Sequence, residues 1–263
     1  LIACSECGHE VSTAAQACPH CGNPIRQPAT VSQPAEYFAP PPPMSQDNVR
    51  HLSFGLSGTV AGFWWASAAF YALSAFFMFV TWAVWTGLKD GSTSISDMIE
   101  VDAGAFGSSI LASTWMWVTG ILFIVWFFQA YRAAESRGAI GTKWSGGWAI
   151  GAWFIPFANL VIPKLVMNEV DRMSNPLAGA PPIEQQWKQM RRLVISDLWW
   201  ILMVLGWAIW LIGFYTYESE PTYTASAVGL AYLIIALSLA VNAAAAAFAG
   251  GLVFTLGKRM RRP

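Results

Sequence analysis

The chain has 263 residues, of which 55% are hydrophobic and 11% charged, with 15 Lys and Arg balanced by 15 Asp and Glu. Soluble globular domains carry about 25% charged residues, so the composition excludes an ordinary soluble protein and points to one with several membrane spans. Zero net charge excludes a general attraction to nucleic acid, and leaves the distribution of charge along the chain as the informative quantity.

Cys4, Cys7, Cys18 and Cys21 come first and are the only four cysteines. They form two Cys-x-x-Cys pairs, each followed directly by a glycine, Gly8 or Gly22. Such a knuckle turns two thiolates toward one point, and two knuckles supply the tetrahedral ligand set of a structural zinc site. A segment of about twenty residues cannot bury a core of its own and needs a staple. Disulfides and free thiols are the alternatives. Disulfides call for an oxidising compartment, whereas the basic residues assign this end of the chain to the cytosol. Residues 1–24 therefore read as a small zinc ribbon of β-hairpin knuckles holding one Zn2+ on Cys4, Cys7, Cys18 and Cys21. His9 and His20 read as surface residues. Arg26 and Arg50 stand against Glu6, Glu10, Glu36 and Asp47 in this part of the chain. Nucleic-acid binding needs a basic face, so no nucleic-acid partner is expected, and a protein partner fits better. Residues 25–52 follow as a Pro-rich linker, with prolines 40 to 43 favouring an extended polyproline helix.

The remainder, residues 53–260, reads as a four-helix membrane domain. Its apolar runs span about 60–86, 108–130, 193–217 and 225–256, each long enough to cross a bilayer. A fifth apolar stretch, 144–163, is broken by Gly146, Gly147, Gly151, Pro156, Asn159 and Pro163. The positive-inside rule decides its topology. If 144–163 does not cross, 14 of the 15 basic residues lie inside and only Lys89 lies outside; if it crosses, ten lie outside. The first arrangement is the one expected. It gives four transmembrane helices, both termini cytosolic, and a re-entrant or surface-lying broken helix at 144–163, in an inner membrane. Pro156 lacks an N–H and disrupts a helical turn, the glycines weaken a helix, and Asn159 reads as a cap for the break or, alternatively, as a ligand contact. A half-helix from Trp144 to about Ile155 and a second helix through Lys164 to Met173 are expected on either side. Irregular backbone at membrane depth must be buried in protein or face a wet cavity, so the stretch should pack among the four helices.

The last run is rich in small residues, Ala243 to Ala247, Ala249, Gly250 and Gly251, which allow close helix approach in lipid. Packing within the bundle is the expected use, with a homo-oligomer through this face as the alternative.

The motif Trp144-x-x-Gly147-Trp148-x-x-Gly151-x-Trp153-Phe154-Ile155-Pro156-x-x-Asn159-Leu160-x-x-Pro163 resembles the signature of a bacterial membrane family, domain of unknown function 4328. Glu169, Ser174 and Pro176 fit its continuation, and Tyr131-Arg132 fits the end of its preceding helix. The resemblance covers about residues 55–260 and implies a membrane location, often with an N-terminal zinc ribbon or Pro-rich segment, but no activity. An Asn usual in the family a few residues after Arg132 is missing here, where the chain has Ala133-Ala134-Glu135-Ser136.

Ionisable residues inside a membrane mark function, and the spans are nearly bare of them. Asp197 sits near the start of the third span and reads as an interfacial carboxylate paired with Arg191 or Arg192, with a functional role as the alternative. Gln129 and Asn242 are the notable polar residues elsewhere. No catalytic constellation is visible, so no enzyme activity is expected. The function read from the sequence is a membrane anchor or sensor whose cytosolic ribbon binds a protein. The alternative is a small-solute channel or transporter with 144–163 lining the path.

Overall fold

The computed structural model describes residues 1–12, 14–24, 52–89, 91–137, 139–178, 184–218 and 225–261. The Pro-rich linker at 25–52 falls almost wholly outside them. The chain divides into two compact units, Leu1–Ser45 and Gln46–Pro263.

In the first unit, β1 (Ile2–Ala3) pairs antiparallel with β2 (Glu10–Val11), and Ala17 bridges Pro24. The two Cys-x-x-Cys turns are built alike. Gly8 donates to the Cys4 carbonyl and Cys4 to the His9 carbonyl, both at 2.9 Å; Gly22 donates to the Cys18 carbonyl and Cys18 to the Asn23 carbonyl, both at 2.8 Å. Gly8 and Gly22 close these turns at φ of 72° and 76°, in the left-handed region where a side chain is unfavourable.

The second unit is helical. Among the described residues, four helices are long and apolar enough to cross a membrane: α1 (Phe54–Lys89), α2 (Ile95–Glu135), α6 (Val194–Glu218) and α7 (Ala225–Arg261). Between α2 and α6 lie α3 (Trp148–Gly151), α4 (Ile162–Met173) and α5 (Glu184–Gln189). The helices outrun the apolar stretches that mark them. With 36 residues, α1 is about 54 Å long at 1.5 Å per residue, against a hydrocarbon core of about 30 Å. Most of residues 87–107, expected as a loop, is helix. A capping box starts α2: Ser94 accepts from the Asp97 N–H, and Asp97 accepts from the Ser94 N–H at 2.9 Å. Ser-x-x-Asp closes a helix start by satisfying two otherwise orphaned donors.

Helix α7 packs along α1 and α6, and α2 packs along α1, so the long helices follow the order α2, α1, α7, α6. The segment between α2 and α6 bridges these two outer helices, because α3 and α4 pack on α2 and α4 also touches α6. Small residues set the close approaches. A Cβ at Gly257 would come within 2.4 Å of the Ser57 Cβ, and one at Gly250 within 2.5 Å of Trp65 Nε1. Ala245, Ala246 and Ala249 are buried, so the Ala/Gly-rich face is used inside the bundle. Hydroxyls link the helices where apolar attraction gives no direction in lipid. Trp126 Nε1 donates to Ser57 Oγ at 3.0 Å, Ser67 and Thr119 share a bond of 3.1 Å, and Ser238 Oγ donates to the Gly206 carbonyl at 2.9 Å.

Candidate functional site

The first candidate is the cysteine cluster. Its four sulfurs all lie within 4.8 Å of one another, with Cys4–Cys21 and Cys7–Cys18 both at 3.6 Å. A disulfide needs about 2.05 Å, whereas a tetrahedron with metal–sulfur bonds of about 2.3 Å has edges near 3.8 Å. The donor set therefore fits one tetrahedral metal ion. The Cys7 and Glu6 N–H groups hold the Cys4 thiol down at about 6, a thiol ready to bind metal as thiolate. The Asn23 N–H pulls Cys21 down as well, but the neighbouring thiols and burial together push it up to about 12. A cation among the four sulfurs reverses that crowding, because coordinated thiols are deprotonated outright. His9 and His20 are exposed and stack on each other, with ring centroids 4.4 Å apart.

The second candidate is the broken segment. It starts and finishes at one end of the bundle. The Glu169 carboxylate, on α4, accepts the N–H groups of Lys143 at 2.8 Å and Trp144 at 3.3 Å. The Tyr131 hydroxyl, near the end of α2, donates to the Trp144 carbonyl. Residues that carried the family resemblance at a distance in sequence thus meet in space. Gly146 sits where a Cβ would come within 3.1 Å of the Arg132 side chain, so the chain can press against α2.

The expected half-helix from Trp144 to Ile155 shrinks to the single turn Trp148–Gly151. Gly147 opens that turn without a side-chain cap and Gly151 ends it, which fits the low helix propensity of glycine. Trp148 reaches the surface, and its ring meets Trp144 edge-on at 5.4 Å. Trp153 points inward, edge-on to Phe123 at 5.9 Å and near Trp200 at 6.1 Å. Its Nε1 is buried without a partner.

Pro156, Phe157 and Ala158 form a γ-turn of the rare positive-φ kind. Phe157 has φ 62° and ψ −36°, and the Ala158 N–H reaches back to the Pro156 carbonyl at 2.7 Å. Such strain is found where the surroundings hold the backbone in place, and it clusters at functional positions. A short 3-10 turn, Ala158–Leu160, follows. The Leu160 carbonyl accepts from Trp200 Nε1 at 3.2 Å, six residues along α6 from Val194 and hence about 9 Å from its start. Pro163 lies in the first turn of α4 and is buried, a position where its missing N–H is harmless.

Of the two readings of Asn159, the cap is not seen. Its side chain caps neither neighbouring helix, since the 3-10 turn and α4 both start without a side-chain cap. Its backbone N–H bonds the Ile155 carbonyl at 3.0 Å. The side chain instead lines a cavity of about 420 Å³ with Asn242, Ser238, Ser113, Tyr71 and Trp153. The cavity takes its walls from α1, α2, α6 and α7, and the break at Trp153–Leu160 borders it, in the same part of the fold where Phe123 of α2 and Trp199 of α6 meet edge-on at 5.5 Å.

Ion pairs tie the same end of the bundle together. Asp197 is held by Arg192 at 3.2 Å, as expected, and also by Lys164 of α4 at 2.8 Å. Burial pulls the Lys164 ammonium down, partly offset by Asp197. Asp171, fully buried, pairs with Arg259 of α7 at 2.9 Å and accepts the Leu193 N–H at 2.6 Å. Burial pushes the Asp171 carboxyl up, against the pull of the Leu193 N–H and Arg259. Asp171 was missed in the sequence although it carries a signal. It falls beside Val166, Met167, Val170 and Met173, the buried stripe of α4, and a carboxylate on an apolar stripe needs a partner.

Residues 89–256 match the family described as domain of unknown function 4328, and residues 1–25 match a zinc-ribbon domain. The chain belongs to the domain of unknown function 4328 family. The matched family segment includes the whole signature from Trp144 to Pro163, together with Tyr131, Glu169 and Asp171. No curated protein and no solved structure matches the chain.

Proposed function

We propose that this protein is a non-enzymatic anchor or sensor of the bacterial inner membrane, whose zinc ribbon recruits a protein partner in the cytosol. The carrying observation is a ready four-thiolate site, in a unit too small to bury a core, on the same chain as four span-length helices. Zinc is the ion for this site, because four thiolates in a tetrahedron are its usual structural ligand set. The basic residues support cytosolic termini. The return of 144–163 to its starting end, through Glu169 and Tyr131, supports a re-entrant or surface-lying element. Changing Cys4 and Cys7 together to Ser should release the ion and remove one specific partner from crosslinked native membranes. An unchanged partner set in the ion-free variant would overturn the recruiting role.

A second reading, a small-solute channel or transporter, is favoured by the cavity beside the break. Asn159 and Asn242 come from distant parts of the chain to line it, and no lining residue is charged, which suits an uncharged solute. Broken helices border many transport sites. An Asn159→Cys protein should then react with a membrane-impermeant maleimide from one side, beyond the labelling of the unaltered chain. Complete protection from both sides would sink this reading.

A further inference from the structure

A second cavity, of about 350 Å³, lies at the end of the bundle where α4 meets the start of the broken segment. Lys143, Trp144, Leu165, Asn168, Glu169, Arg172 and Arg192 line it. Three cations therefore face one carboxylate. That carboxylate is already engaged, since Glu169 accepts the N–H groups of Lys143 and Trp144. Arg192 shares Asp197 with Lys164, and Lys143 rests over the Trp144 ring at 5.2 Å. Arg172 has no such arrangement. No carboxylate pairs with it among the described residues, and its Nε is buried without a hydrogen-bond partner. The Arg172 guanidinium thus lines the cavity without a carboxylate partner among the described residues, and an anion in this cavity would pair with it.

We propose that this cavity binds the phosphate of an anionic lipid headgroup, with Arg172 as its principal contact and Lys143 and Arg192 in support. Guanidinium suits phosphate because its planar fork presents paired donors to two oxygens. Basic pockets between membrane helices recognise such headgroups. The apolar surroundings favour a lipid over free phosphate. Leu165 forms part of the wall and is 39% exposed. Trp148, against the Trp144 ring, and Val161, one turn before Leu165, are exposed as well. A headgroup held at Arg172 would leave its acyl chains along this surface. The proposal rests on the membrane reading of the chain, but not on which side of the membrane this end faces.

The full chain in detergent, titrated calorimetrically with short-chain phosphatidylglycerol, phosphatidylcholine and inorganic phosphate, tests it independently of topology. A single saturable phosphatidylglycerol site is expected, weakened about tenfold or more by Arg172→Gln, as loss of a charge-assisted contact implies. Lys143→Gln, at an exposed position, should weaken it less and covers the case in which the Arg172 variant does not fold. Phosphatidylcholine should not compete, and inorganic phosphate should bind more weakly than the lipid. Equal binding of both lipids would mean an unspecific lipid belt and overturn the site. So would phosphatidylglycerol binding that neither variant alters. Inorganic phosphate binding as tightly as the lipid would reassign the site to a soluble anion.

Discussion

The ribbon and the helical unit hold their shapes by different means. In the ribbon the buried hydrophobic cluster is Cys4, Val11 and Cys18, two of them metal-site cysteines. The helical unit has a continuous core running from Leu52 through Trp126, Met167 and Trp199 to Met260. One region has four cysteines placed to hold a metal ion and little apolar surface to bring its parts together; the other has the packed surfaces of long helices. The ribbon should therefore fail all at once when its ion is removed, whereas the helical unit should fail by degrees as single contacts are lost.

The largest expected effect is removal of the metal. Structural zinc contributes on the order of 10 kcal/mol or more to folding, so a chelator should abolish amide-exchange protection over residues 2–22. Helical circular dichroism should stay unchanged. Protection that survives chelation would break the comparison, since the ribbon would then hold itself.

Next comes Arg259→Gln, which leaves the Asp171 carboxylate buried and unpaired. Removing one partner of a buried pair is destabilising by about 3 kcal/mol, readable as a lower melting temperature in detergent at neutral pH. The pH dependence sharpens this. Burial raises the Asp171 carboxyl in the folded protein above its ordinary value of 3.8. Between 3.8 and that raised value the folded state holds more protons than the unfolded one. Stability from this group therefore increases as pH falls through the raised value. Without Arg259 to oppose the rise, the window extends to higher pH, so the deficit of the variant should shrink on mild acidification. A deficit that grows instead would remove Asp171 as its cause.

The smallest of the three is Gly257→Ala. A Cβ there would lie 2.4 Å from the Ser57 Cβ, which only a shift of α1 against α7 can relieve. Overpacking of this kind is destabilising by about 1–3 kcal/mol. The same change at Gly62, where a Cβ meets nothing within 4 Å, should be neutral or slightly stabilising. Equal effects at both positions would show that backbone propensity, not close packing, sets the α1–α7 contact.

The sequence alone determined whatever depends on local spacing. The Cys-x-x-Cys-Gly repeats announce two matching turns, since the thiols and the glycine conformation lie within five residues. The apolar runs announce four long helices, because a span must carry enough apolar residues to match the hydrocarbon thickness, although the helices themselves run on beyond it. Even the boundaries that were misjudged carried local signals, as the Ser94–Asp97 capping box shows. Tertiary structure alone decided which side chains meet. Nothing local in Asn159 says that it leaves the helix ends uncapped and joins Asn242 in a cavity. Nothing near Asp171 names Arg259, 88 residues away, as its partner. The break at Pro156 was legible because proline and glycine act on their own backbone. What it faces depends on the cavity that α1, α2, α6 and α7 line together, which exists only once these helices have packed.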